Sequence, residues 1–228
     1  MVKVFLDAGH GGKDPGAVGN GMQEKNITLP VTLEIGEILK RHGVTVGYTR
    51  TTDTFMELSD RANKANNFGA DIFVSIHCNA YKNSTAHGVE TYSYPNSTKG
   101  AKLAKLIHEQ VISSKLYTRD RGTKTANFAV LRLTKMPAAL IEMAFITNLE
   151  DAQLLKTKQK EFATAIAKGI LSYFGIKYQE PKKEEAKQQK ESGKLYKVQV
   201  GAFSKRENAE KLLKELKAKG FDGFIKIE

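Results

Sequence analysis

Val2-Lys3-Val4-Phe5-Leu6-Asp7-Ala8-Gly9-His10-Gly11-Gly12 opens the chain. A β-branched and aromatic run bounded by an acid and three glycines reads as a buried strand that breaks into a tight loop, and His10 stands in that loop. The glycines continue through Gly16, Gly19 and Gly21, a density that lets the backbone turn sharply and approach a ligand closely. The loop delivers Glu24 to the start of a helix. Val31, Ile35, Ile38 and Leu39 form one apolar face of that helix, Pro30 fits its first turn, and Gly43 stops it.

Working onward, Val44 to Tyr48 alternates as a second strand and Thr49 to Asp53 leaves it as a polar loop. A short helix carries Leu58, Ala62 and Ala65 on one side and ends at Gly69. Ala70-Asp71-Ile72-Phe73-Val74-Ser75-Ile76-His77 is then a central strand ending in a histidine. Strands alternating with crossover helices predict an α/β fold with a mostly parallel twisted sheet flanked by helices. Ligands of such sheets bind beyond the carboxyl ends of the strands, where both His10 and His77 fall. Gly88 to Tyr94 is a fourth strand. From Thr98 a helix turns Leu103, Ile107 and Val111 inward, with His108 on its surface. Residues 115 to 127 read as an irregular basic loop around Arg119 and Arg121, and Phe128 to Leu131 as a short strand. Pro137 to Glu142 is a strand with an acid at its far end. Asn148 caps a short helix through Leu155, and Phe162, Ile166, Ile170 and Tyr173 mark a closing amphipathic one.

At 228 residues the chain has room for one substantial core and an appendage. The reading places a catalytic domain at 1–176, a charged linker at 177–194 and a small β-α-β unit at 195–228. In that unit Leu195 to Phe203 and Phe221 to Ile227 are strands, Ser204 and Glu207 form a capping box, and Ala209, Leu212, Leu213 and Leu216 face one way. The net charge of +11 would attract nucleic acid, acidic lipid or an acidic wall polymer alike, so its sign does not identify a partner. No apolar run approaches the roughly 20 residues that span a bilayer, and no secretory pattern opens the chain. The single cysteine, Cys78, excludes a disulfide framework.

The chemistry-bearing residues converge. His10, Glu24 and His77 are nitrogen and oxygen donors that leave one tetrahedral position open, the pattern of a catalytic rather than a structural zinc site. Glu142, at a strand end, either moves a proton beside the metal or pairs with a nearby arginine. Cys78 adjoins His77 in a strand and so faces away from the site. His42 is read as a cap beside Gly43, and His87 as a turn residue.

Asp7-Ala8-Gly9-His10-Gly11-Gly12-Lys13-Asp14-Pro15-Gly16-Ala17, Glu24-Lys25-Asn26, Thr49-Arg50, the strand through His77-Cys78-Asn79-Ala80, and Leu140-Ile141-Glu142 together resemble the zinc-dependent N-acetylmuramoyl-L-alanine amidases, over residues 1 to about 175. Ala8 stands where the family often has proline, and Cys78 where a smaller residue is usual. The resemblance implies that His10, Glu24 and His77 hold Zn2+ and that Glu142 is the catalytic base and acid. It implies hydrolysis of the amide between N-acetylmuramic acid and L-alanine, with peptidoglycan as the partner and neither nucleic acid nor membrane insertion involved. The glycine-rich loop and the basic stretch near Arg119 and Arg121 are then expected to wall the polymer groove. A peptidase acting within the stem peptide and a non-catalytic polymer-binding module are the rival readings. Lys194 to Glu228 resembles one half of a SPOR-type repeat domain that binds glycan strands. Either the repeat is truncated here or two copies meet as a homodimer. Synthesis in the cytoplasm without a signal peptide, with release by lysis or a holin-type pore, is expected for a phage-type or sporulation-type wall hydrolase.

Overall fold

In the computed structural model, which describes residues 1–180, 199–221 and 223–226, the opening strand sends alternate residues into two different cores. Val4 and Leu6 enter a large one and Phe5 a small one, as the two-residue period of a strand requires. The chain divides into the units Met1–Glu180 and Pro181–Glu228. In the first, chain order runs β1 (Lys3–Ala8), the short pair β2 (Val18–Gly19) and β3 (Met22–Gln23), α1 (Lys25–Arg41), β4 (Thr45–Tyr48), α2 (Leu58–Phe68), β5 (Ile72–Asn79) and β6 (Val89–Ser93). Next come α3 (Thr98–Ser113), β7 (Asp120–Thr125), α4 (Ala129–Leu133), β8 (Ala138–Phe145), α5 (Leu149–Thr157) and α6 (Gln159–Tyr173).

Six strands form one sheet in the order β4-β1-β5-β8-β6-β7. Every neighbouring pair is parallel except β6 with β8. Helices α1, α3 and α6 cover one face, where Ile35, Leu103, Ile107, Phe162 and Ile166 meet Val4, Leu6, Val74, Ile76 and Ile141. The other face is covered by α2 and α4, through Ala65, Val130 and Leu131 against Phe5, Phe73 and Leu140. Phe5 and Phe73 stack there at 6.4 Å between centroids. By parity, Asp7, Ser75, His77, Glu142 and Glu90 share the sheet face of this smaller core, whereas Cys78 falls into the larger one. Cys78 is therefore a packing residue, as its place beside His77 required.

Several expectations are corrected. Residues 120 to 125 form an edge strand rather than a loop; Asp-Arg-Gly-Thr-Lys-Thr has no apolar alternation, but pairing with β6 supplies its ladder bonds. The stretch at Phe128 is a helical turn, because the adjacent residues Val130 and Leu131 are both buried and neighbours in a strand cannot share a face. β8 runs three residues past Glu142, which is thus mid-strand. Pro30 lies in the second turn of α1, not the first; the helix begins at Lys25 because Ile27 is already buried, and Pro30 itself is exposed. His108 is buried rather than on the surface. Its Nε2 meets Asp120 Oδ1 at 2.8 Å and its Nδ1 meets Thr91 Oγ1 at 3.1 Å, which ties the edge strand to α3. His42 caps its helix as expected, with Nδ1 2.8 Å from the Ile38 carbonyl.

In the second unit, α7 (Arg206–Ala218) half-buries Ala209, Leu212, Leu213 and Leu216, the face that their spacing predicts. The Ser204–Glu207 capping box does not form: Lys205 is the cap, with no side-chain bond. Among the described residues, 199–203 and 223–226 carry no strand, and a strand without a partner ladder is not stable. The expected first strand before 199 and the linker from 181 to 194 lie outside the described residues.

Phe73 is fully buried in the smaller core. Phe73→Ala should cost about 3–5 kcal/mol, read as a lower urea midpoint at unchanged slope.

Candidate metal centre

The site is assembled from the loop after β1, the residue that caps α1, the end of β5 and the middle of β8. Glu24 immediately precedes α1, and its carbonyl accepts the first helical bonds, from the N–H groups of Ile27 and Thr28. Its side chain turns into the site, near the positive end of the helix. There Oε2 lies 3.1 Å from His10 Nε2 and Oε1 2.8 Å from His77 Nδ1. Two backbone donors complete the carboxylate: Ala17 N–H to Oε2 at 2.8 Å and Cys78 N–H to Oε1 at 2.9 Å. The two imidazoles stand edge to face, 5.0 Å between centroids. One ligand atom from each of His10, Glu24 and His77 lies within 4.8 Å of the others.

Close approach explains two of the glycines. A Cβ at Gly9 would sit 2.5 Å from the His77 ring, and one at Gly16 would sit 2.6 Å from both Glu24 Oε2 and the His10 ring. His10 itself has φ 61°, unusual for a residue with a side chain. Asp14 Oδ2 accepts from its Nδ1 at 2.8 Å, which directs Nε2 at Glu24 and fixes the tautomer, the usual role of a carboxylate behind a metal-binding imidazole.

Two buried arginines hold the loop from behind. Arg61 donates to Asp7 Oδ1, to the Ala8 carbonyl and to the His10 carbonyl, each at 2.8 Å. Arg50 donates to the carbonyls of Ala8 at 3.1 Å, Gly9 at 3.0 Å and Lys25 at 3.1 Å. Ser75 Oγ donates to the other Asp7 oxygen at 2.6 Å.

The sheet register places Glu142 directly beside His77, and Glu90 on the other side of Glu142. Glu142 is not paired with an arginine; Arg121 goes to Glu90 instead, Nε to Oε2 at 2.7 Å. Glu142 Oε2 is buried and, among the described residues, meets no hydrogen-bond partner. Burial pushes its carboxyl up, and although His77 pulls it down, the charges of Glu24 and Glu90 leave it at about 7. Burial opposes the charge on His77, but the hydrogen bond and charge of Glu24, with Glu142 and Asp7 behind, raise it to about 9. Glu24, despite its burial, is held well below the usual carboxylate range by the two imidazoles. His10 is raised as well, because Glu24 outweighs its desolvation.

The structure thus brings the four sequence-predicted site residues together. It adds Asp14, Arg61, Ser75 and Glu90, which the sequence reading passed over. Asp7 carried the missed signal: an acid on the inward face of a buried strand needs a buried cation. The exposed Arg119 takes no part in this cluster. Two neutral imidazoles and one carboxylate suit a divalent ion such as zinc and leave a coordination position open.

The family described as N-acetylmuramoyl-L-alanine amidase matches residues 4–172, and the SPOR domain matches residues 148–227. The SPOR match begins within the first unit, at the cap of α5. A sporulation-specific N-acetylmuramoyl-L-alanine amidase of Bacillus subtilis is 42% identical over 233 residues, covering 100% of this chain and 86% of the relative. An endolysin of Bacillus phage SPP1 is 42% identical over 194 residues, covering 80% of this chain and 71% of the relative. Among solved structures, the catalytic domain of the amidase CwlV from Bacillus (Paenibacillus) polymyxa superposes with a TM-score of 0.73 at 38% identity, covering 78% of this chain and 100% of that one.

Because Glu24 raises His77 to about 9 and raises His10 as well in the metal-free site, binding a divalent ion at pH 8 should release about one proton per ion or more, and the number should fall as pH rises above 9. Titration calorimetry in buffers of different ionisation enthalpy reads this number directly.

Proposed function

The chain belongs to the N-acetylmuramoyl-L-alanine amidase family, and we propose that it hydrolyses the amide between the lactyl group of N-acetylmuramic acid and the L-alanine that begins the stem peptide. His10, Glu24 and His77 hold zinc in this reading. When bound, zinc supplies Lewis acidity, which polarises a carbonyl and acidifies water. The observation that carries the proposal is the unpartnered Glu142 Oε2 at the register position next to His77.

Glu142 Oε2 takes the proton from water as its oxygen adds to the amide carbon. The same atom gives that proton to the alanine nitrogen as the C–N bond breaks. A carboxyl near 7 suits both halves of this exchange, since it releases and recovers a proton with little bias at neutral pH. Asp14 and Arg61 keep His10 in place from its ring and its carbonyl respectively. Cys78 N–H and Ala17 N–H keep the Glu24 carboxylate from turning.

The match to the sporulation-specific relative spans the whole chain, tail included. This supports a wall-lysing role in which the C-terminal unit binds peptidoglycan, alone or as a homodimer built on that unit. Release of the enzyme by lysis or a holin-type pore goes with this reading.

Glu142→Ala should retain zinc and lose wall lysis by about 10²-fold or more, the contribution of a positioned acid–base group, measured by turbidity of purified walls. His77→Ala should lose the metal itself, measured by elemental analysis; near-normal lysis by the first variant, or full zinc content in the second, overturns the assignment. Removal of residues 177 to 228 should weaken wall binding in sedimentation while leaving the product masses those of an amidase, with a free L-alanine amino terminus.

A further inference from the structure

The line of residues across the sheet does not stop at Glu142. Register sets His77 of β5, Glu142 of β8 and Glu90 of β6 side by side. Between β6 and β7 the pairing shifts, so that Val89 faces Asp120 but Thr91 faces Thr123. Glu90 therefore opposes two residues, Arg121 and Gly122, and Gly122 takes φ 76°. A bulge of this kind re-aims a side chain, and here it turns Arg121 back over Glu90. Lys124, opposite Tyr92, reaches the same carboxylate oxygen.

Glu90 is nearly inaccessible, at 4% exposure, and fully satisfied. Arg121 Nε and Lys124 Nζ donate to Oε2, while Tyr92 Oη at 2.7 Å and Asn79 Nδ2 at 2.6 Å donate to Oε1. Arg121 and Lys124 remain 27% and 39% exposed. One buried negative charge thus anchors two accessible positive ones. Arg121 is further steadied over the Phe145 ring at 5.0 Å, and among the described residues its Nη2 meets no acceptor. One arginine would have neutralised Glu90; the second cation leaves a net positive charge and spare donors facing outward, one strand beyond the proton-moving carboxylate.

We propose that Arg121 and Lys124, anchored by Glu90, form a subsite for a substrate carboxylate, that of the second stem-peptide residue. The inference rests on the amidase reading above. Once its lactyl carboxyl is tied up in the scissile amide, the glycan side of the substrate is uncharged, so the carboxylates lie on the peptide side. One residue of extended chain covers about 3.5 Å and adjacent strands stand about 4.8 Å apart. With the further Cα–C bond of about 1.5 Å to its carboxyl carbon, a carboxylate one residue past L-alanine spans the distance from Glu142 to the Glu90 position. A guanidinium offers the paired donors that a carboxylate accepts.

The test uses the full chain loaded with zinc and three soluble disaccharide-peptides. They carry a free carboxylate at the second residue, a carboxamide there with every other carboxyl blocked, or a carboxamide there with a free acid only at the stem's end. The first should be cleaved with a kcat/KM roughly tenfold or more above the other two, the worth of one charge-assisted hydrogen bond. In Arg121→Gln that ratio should fall toward one, and in Lys124→Met it should fall partway. Equal cleavage of all three by the parent enzyme overturns the subsite and leaves the reaction standing. A preference that follows the terminal acid, or one that survives both substitutions, also overturns it. Failure to cleave any of them overturns the amidase reading itself.

Discussion

The buried ion pair of Asp7 and Arg61 is the constraint on which the rest of the site depends. Both side chains are almost wholly removed from water, an arrangement that is costly unless every donor and lone pair is used. Here both carboxylate oxygens are bonded, the second by Ser75, and Arg61 also donates to the carbonyls of Ala8, His10 and Met56. Arg61 and Ser75 hold the Asp7 carboxyl below its usual range although burial works against them. The pair thus converts a glycine-rich loop, flexible by composition, into a fixed shelf. His10 can keep its left-handed backbone because its carbonyl is held by a guanidinium.

A second constraint is the register of the central strands. Lateral neighbours in a sheet share a face, so the pairing of β5, β8 and β6 places an imidazole and two carboxylates in a row without any loop to position them. The row is electrostatically graded. Glu24 is compensated by two imidazoles and Glu90 by Arg121 and Lys124, which hold it near 2 against its burial, while Glu142 between them forms no ion pair with a lysine or arginine among the described residues. Burial raises its proton affinity first, and the charges of Glu24 and Glu90 offset the pull of the imidazoles, so a group suited to exchanging protons results.

The two units divide the work by chemistry. The first spends its buried surface on a sheet that fixes the row of His77, Glu142 and Glu90 by its register. The second, in its described part, offers one helix with a half-buried apolar face and a run of exposed aromatic residues, Phe203, Phe221 and Phe224. That composition suits attachment rather than catalysis, in keeping with the SPOR match over this region.

Much of the site was legible from residue types alone. Histidines at the ends of apolar strands, an acid before a helix and an acid after Leu140-Ile141 are local signals, because strand and helix periods fix which way neighbouring side chains point. Cys78 could be excluded as a ligand on the same ground. The alternation of strands and helices likewise determined a mostly parallel sheet. What only the tertiary structure decided depends on partners distant in sequence. The edge strand β7 has no apolar pattern and exists through its ladder with β6. The buried state of His108 follows from Asp120 on that strand. Arg61 and Asp7 are 54 residues apart, and Arg121 meets Glu90 across a bulge. Side-chain direction is set within a few residues, whereas the pairing of charges is set by which strands become neighbours, and that is a property of the folded sheet.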